Sequence, residues 1–149
     1  MEGTELMAEI TLRRARQIIK GALAKGRAED MKPLAVIVLD TGGNIKAFER
    51  EDGASNYRFQ VAHGKAHGAV GMGLGSRSLF NRAEQQAYFV TAVGTLDGTH
   101  LIPVPGGVLV RDKKGALLGA VGISGDNSDN DEIAAVAGIE ASGLVADPG

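Results

Sequence analysis

The stretch from Leu34 to Arg50 constrains this chain more than any other. A continuous apolar run, Leu34-Ala35-Val36-Ile37-Val38-Leu39, follows Pro33 and is rich in β-branched residues. It leads into Asp40-Thr41-Gly42-Gly43-Asn44, then into a second arm from Ile45 to Arg50. Strand, turn and returning strand make a hairpin whose first arm is buried. A second hairpin is predicted from Val108 to Arg111, a turn at Asp112 to Gly115, and Ala116 to Ser124. Helical patterns surround the two. Thr11 can cap a helix whose apolar residues Leu12, Ala15, Ile18, Ile19, Ala22 and Leu23 recur at three- and four-residue spacing, ending near Gly26 to Asp30. Asn56 to Leu74 and about Asn81 to Val93 read as two more. Asn127 to Leu144 closes the chain, with Asp129, Asp131 and Glu132 near its positive end. Val145 to Gly149 reads as a loose tail. The order helix, hairpin, two helices, hairpin, helix predicts an α+β domain, an antiparallel sheet with helices packed on it. Alternating βαβ units, and with them a doubly wound parallel sheet, are absent.

Length and charge narrow the function. The 149 residues fit one domain, 1–149, with a core from about 10 to 144. A net charge of -2 argues against a general nucleic-acid binder. The chain has no Cys, which excludes disulfides, thiolate clusters and a cysteine nucleophile. The longest apolar run is far short of the ~20 residues that span a bilayer, so no membrane partner is expected. Met1 to Ile10 carries three acids, no Lys or Arg and no signal-like apolar run, and a cytoplasmic setting is expected.

The segment from His63 to Gly73 carries the most chemistry. Phe59, Ala62, Ala66, Val70 and Gly73 fall on one apolar face of a helix, with His63 and His67 at its border. Gly64, Gly68 and Gly71 form a bare stripe beside them. Each Gly costs a helix ~1 kcal/mol against Ala, so the stripe needs a tertiary cause. Either another backbone packs closely there or a flat ligand does. Two His at this spacing can share a metal, but the metalloprotease pattern needs Glu where Gly64 stands, and no dedicated metal site is expected. One His can instead make an axial haem contact, or both can be half-buried packing residues.

Other motifs say less. No Walker loop or dinucleotide fingerprint is present. Pro105-Gly106-Gly107 precedes a strand, and its bare amides suit either an anion or a tight turn. The acidic run from Asp126 to Glu132 lacks the glycine and glutamate of an EF-hand, which leaves helix capping as the favoured reading over a catalytic or metal role. Ser124 lacks the nucleophile-elbow pattern.

Seven pieces, taken in order, resemble the GlcG/HbpS family, the haem-degrading-domain family that includes the C-terminal domain of PduO proteins. They are Leu12-Arg13-Arg14-Ala15, Val38-Leu39-Asp40 with Gly42-Gly43, and Arg50-Glu51-Asp52-Gly53-Ala54. The series continues through Lys65-Ala66, Pro105-Gly106-Gly107, Gly119 to Gly125, and Asp131 opening the last helix. The resemblance implies a PAS- or profilin-like two-layer sandwich and a homo-oligomer. It also implies a haem- or small-molecule-binding protein, with haem degradation in some members and hydroxylaminobenzoate lyase activity in a subset. The residues that match its typical polar positions are Arg50, Asp52, Lys65, Gly106, Gly107 and Asp131, whereas His63 and His67 depart from its pattern. Two mechanisms follow. In one, Lys65 meets an anionic group of haem or another small molecule, with His63 or His67 near the metal. In the other, a cofactor-independent lyase-like enzyme uses Lys65 to hold a substrate carboxylate. His63 or His67 then shuttles protons, and the Gly106-Gly107 amides take developing charge. A scaffold without a ligand is the third reading.

Overall fold

A computed structural model describes residues 9–149, so most of the acidic N-terminal segment lies outside the described residues. The elements are α1 (Leu12–Ala28), β1 (Ala35–Asp40), β2 (Ile45–Arg50), α2 (Arg58–Met72), α3 (Ser76–Gln85), α4 (Ala87–Gly94), β3 (Gly107–Arg111), β4 (Leu117–Ser124), α5 (Ser128–Ala141) and β5 (Val145–Asp147). The strands form one open antiparallel sheet in the order β2-β1-β4-β3-β5. The α+β sandwich expected from the order of elements is what forms.

Both hairpins turn on the same device. Asp40 Oδ1 accepts from the Gly42 and Asn44 amides, and Asp112 Oδ1 accepts from those of Lys114 and Ala116. A short carboxylate in this position supplies the acceptor that a tight turn otherwise lacks. The caps are equally local. Thr11 Oγ1 accepts from Arg14 N at 3.1 Å, and Asn127 Oδ1 from Asn130 N at 2.8 Å.

Strand alternation sends side chains to both faces of the sheet, and both faces are covered. Val36, Val38, Val108, Val110, Val121 and Ile123 pack with Ile18, Ile19, Ala134 and Ile139 of α1 and α5. Ile37, Leu39, Leu109 and Ala120 pack against Ala62, Ala66 and Ala69 of α2. Close approach on that second face rests on two glycines that pair across β3 and β4, Gly107 and Gly122. A Cβ on Gly107 would strike the Lys65 carbonyl, and one on Gly122 the Ala62 carbonyl. The backbone of α2 therefore lies directly on the sheet.

The structure corrects three expectations. The predicted helix over Asn81–Val93 is two helices, α3 starting earlier at Ser76 and breaking from α4 at Gln86 (φ -137°, ψ 58°). Arg82 holds that corner, donating to Gln86 Oε1 at 3.0 Å and lying 4.1 Å over the Phe89 ring. The last helix stops at Ala141 instead of running to Leu144, because Gly143 takes a left-handed conformation (φ +83°) just beyond it. The expected loose tail is an edge strand. β5 pairs with β3, Arg111 Nε reaches Asp147 Oδ2 at 3.0 Å, and the Arg77 amide donates to the Pro148 carbonyl. No helix among the described residues is long and apolar enough to cross a membrane.

Candidate functional site

The residues singled out in the sequence fall into three separate places. The first is the core. Lys65 is 2% exposed and Asp131 1% exposed. Lys65 Nζ donates to Asp131 Oδ2 and to the Ile123 carbonyl, each at 2.9 Å, and Asp131 Oδ1 accepts from the Asp126 amide at 3.0 Å. Burial pushes the Lys65 ammonium down and the Asp131 carboxyl up, and each partner's opposite charge offsets part of that. Expected to meet an anionic ligand, Lys65 instead spends its charge inside the protein. Gly106 (φ +123°) and Gly107 pack on this lysine, since a Cβ on Gly106 would stand 2.9 Å from Lys65 Nζ. The Gly107 amide donates to Ser76 Oγ at 2.7 Å and so is not free to hold an oxyanion. Ser124 is fully buried, its hydroxyl accepting from Arg58 Nη1 at 2.9 Å.

Arg50 and Asp52 belong to a second place, a surface groove of about 430 Å³ shared with Arg27, Pro33 and Glu51. Here too the polar groups are largely engaged. Arg50 Nη1 donates to the Ala54 carbonyl at 2.6 Å, and Glu51 binds both Arg27 and the Leu34 amide.

The third place is the outer edge of α2. His63 and His67 stack with ring centroids 5.2 Å apart, and His100 stands edge-on to both, at 5.0 and 5.5 Å. Phe59 stacks on His63, and Phe48 meets Phe59 edge to face. Burial, with His67 and His100 beside it, holds His63 below the usual imidazole range. His67 Nδ1 lies 3.1 Å from the His100 carbonyl and 3.3 Å from the His100 amide nitrogen. Sequence reasoning missed His100, which is remote along the chain. The glycine stripe brings it in. A Cβ on Gly64 would strike Ile102, one on Gly68 would lie 3.1 Å from Leu101 Cγ, and the Ile102 amide donates to the Gly64 carbonyl at 3.1 Å. The bare face of α2 thus seats the segment that carries His100. Gly71 has nothing within 4 Å of a built Cβ and stays open.

Beside the imidazoles is a cleft of about 150 Å³, walled by His67, Met72, Val93, Leu96 and Leu101. Its polar groups are the His67 imidazole and the Thr99 hydroxyl, and its other walls are mostly apolar, which suits the edge of a flat aromatic ligand. The rings stack on one another instead of pointing their nitrogens at one point. No cluster of His, Asp and Glu among the described residues is arranged to hold a metal ion by itself.

Comparison with known proteins adds to this geometry. The family model described as haem degrading protein HbpS-like matches residues 10–140. Among solved structures, a double mutant of Streptomyces reticuli HbpS is 28% identical, with a TM-score of 0.76 over 89% of this chain and 86% of that one. The structure of a PduOC:haem complex is 23% identical, with a TM-score of 0.81 over 91% of this chain and 96% of that one. Klebsiella pneumoniae protein ORFY is also 23% identical, with a TM-score of 0.79 over 90% of each chain. At 23% identity the last two speak to the fold. No curated protein matches the chain.

Proposed function

This chain belongs to the HbpS-like family of haem-degrading proteins, and we propose that it binds haem at the imidazole edge of α2. The observation that carries the proposal is the convergence of His63, His67 and His100 beside a mostly apolar cleft. Imidazole is a common axial ligand for haem iron, and apolar walls suit the porphyrin.

His67 is the residue that would hold the iron, and the cleft of about 150 Å³ would take one edge of the porphyrin, not the whole group. His67 Nδ1 is tied to the His100 backbone, 3.1 Å from its carbonyl and 3.3 Å from its amide nitrogen, which leaves Nε2 as the ring nitrogen outside that contact. Gly43 packs on the His67 ring, since a Cβ there would stand 3.1 Å from Cδ2 and 3.2 Å from Nε2. The depressed His63 stays neutral near neutral pH and adds no repelling charge. When bound, haem supplies the iron centre for oxygen chemistry. His67 would hold the iron, the His100 backbone would orient its ring, and Leu101 would line the apolar side. The family description supports the same ligand.

The lyase-like alternative draws less support, since Lys65 and the Gly107 amide are both committed to internal partners. We also take the protein to be a cytoplasmic homo-oligomer. Tyr88 and Leu96, 74% and 62% exposed around α4, leave apolar surface for a second copy, which light scattering would detect.

Titration with haemin, followed by its Soret band, tests the ligand. The expected outcome is a saturable red shift for the native chain, and a loss of about ten-fold or more in affinity for His67→Ala. His63→Ala and His100→Ala should fall between, and Lys114→Ala, on the other hairpin turn, should bind normally. An unshifted Soret band in the native protein, or native binding by His67→Ala, would overturn the proposal.

A further inference from the structure

A separate cleft of about 200 Å³ opens where three loops meet: the one before β1, the one between β2 and α2, and the one after β4. Its walls include Lys32, Gly53, Ser55, Arg58 and Gly125. Two of these are cations and none is a carboxylate. Arg58 is only partly exposed and is held rigidly, with Nε donating to Ser55 Oγ at 3.1 Å and Nη1 to the buried Ser124 Oγ at 2.9 Å. Hydroxyls orient a guanidinium without neutralising it. Neither Arg58 nor Lys32 forms an ion pair among the described residues.

Asp126 stands beside Lys32 and offsets part of its charge, while the other acids nearby are engaged elsewhere. Asp126 gives one oxygen to the Lys32 amide at 2.9 Å and the other to Asn130 Nδ2 at 2.6 Å. Glu51 and Asp52 line the neighbouring groove. Asp131 is matched by Lys65, so that pair is neutral overall and leaves the charge of Arg58 uncompensated. A partly buried, preorganised guanidinium with spare N–H donors is the usual device for recognising planar or tetrahedral oxyanions. The cleft is smaller than the ~300 Å³ lower end of drug-sized pockets, which restricts it to compact ligands.

We infer that this cleft is a binding site for a compact oxyanion, either a small carboxylate or inorganic phosphate, with Arg58 as its main contact and Lys32 as the charge at its rim. The inference is independent of the haem reading, because none of these residues lines the imidazole cleft.

The test is an amide-resolved NMR titration of the full chain with sodium phosphate and, separately, sodium acetate, against sodium chloride at equal ionic strength. At least one oxyanion should give saturable shifts centred on Gly53, Ser55, Arg58 and Gly125, and chloride should not. Phosphate alone or acetate alone identifies the preferred class. Arg58→Gln should weaken binding by about ten-fold, as expected for losing hydrogen bonds from a charged group. Lys32→Gln, an exposed change that spares the fold, should weaken it by roughly two- to five-fold, in line with an exposed charge contact. Arg13→Gln on α1 should leave it unchanged. Absence of a saturable response to either oxyanion, equal shifts with chloride, or native affinity in folded Arg58→Gln or in Lys32→Gln would overturn the inference.

Discussion

The glycine stripe of α2 makes a sharp prediction, because its three members meet three different surroundings. Replacing any of them with Ala gains up to ~1 kcal/mol of helix propensity. At Gly71 nothing opposes the gain, since no atom lies within 4 Å of the new methyl. Gly71→Ala should therefore raise stability by about 0.5–1 kcal/mol, or roughly 1–4 °C in melting temperature for a chain of this size. At Gly68 the methyl would stand 3.1 Å from Leu101 Cγ and 3.4 Å from Leu101 Cα. Ordinary carbon contacts lie near ~3.5–4.0 Å, so Leu101 must retreat by about half an ångström, and gain and cost nearly cancel. At Gly64 the methyl would strike Ile102, whose own amide is tied to the Gly64 carbonyl and cannot back away without losing that bond. Overpacking costs ~1–3 kcal/mol, so Gly64→Ala should lower stability by up to ~2 kcal/mol net. It should also weaken haemin binding, because the displaced segment carries His100. These contacts lie within one chain, so Gly68→Ala should not change the mass of the native species. Of the two causes the sequence offers for the stripe, close backbone packing is the one seen at Gly64 and Gly68, where the Leu101–Ile102 segment is seated. Thermal and denaturant melts of the three variants, beside light scattering, check the series. A Gly64→Ala protein that melts above native, or a Gly71→Ala protein that melts below it, would refute the reasoning.

The buried pair and the imidazoles give two more expectations. Lys65→Met strands Asp131 in the core and should cost ~3–5 kcal/mol, whereas Lys65→Met combined with Asp131→Leu should recover much of that loss in a denaturant melt. A double variant no more stable than the single one would show that the pair does more than satisfy itself. For pH, the sign follows from His63 being held below its usual range by burial and by His67 and His100. The unfolded chain then binds the extra proton first, so stability is full above the unfolded value of ~6.5 and declines as pH falls through the window beneath it. Melting temperatures of the haem-free protein should drop on acidification from neutral pH, and His63→Ala should flatten the drop. An unchanged slope in that variant would place the dependence elsewhere.

The hairpins were legible because their determinants are local: a β-branched run, then an Asp that accepts the turn amides a few residues on. The first helix was legible for the same reason, from a threonine cap and regular apolar spacing. β5 was not, because three residues, Val145 to Asp147, carry no period and acquire strand geometry only from the edge of β3. The corner at Gln86 depends on Arg82 reaching back and on Phe89 lying beneath it, contacts that no propensity encodes. The His63–His67 spacing was visible as a helix face, but His100 joins them only because Leu101 and Ile102 settle on Gly64 and Gly68. The sequence shows the bare stripe and the two histidines as neighbours on one helix and carries no local sign of the segment that connects them.

Lys65 shows why a chemically suggestive residue can be structural. Gly107 and Gly122 let the backbone of α2 touch the sheet, and a lysine on that helix has no route to solvent over so close a contact. Its stem passes inward along Gly106 to the end of β4, where the Ile123 carbonyl and Asp131 receive the ammonium. Asp131 sits in the first turn of α5, where a carboxylate is also favoured by the helix dipole, and its second oxygen ties down the Asp126 amide. One ion pair thus joins α2 on one face of the sheet to α5 on the other and fixes the loop between β4 and α5. That loop supplies Gly125 to the wall of the oxyanion cleft, and Ser124 beside it orients Arg58. The buried charge contributes to recognition by holding the walls of a site, while the charge that meets the ligand is a different one.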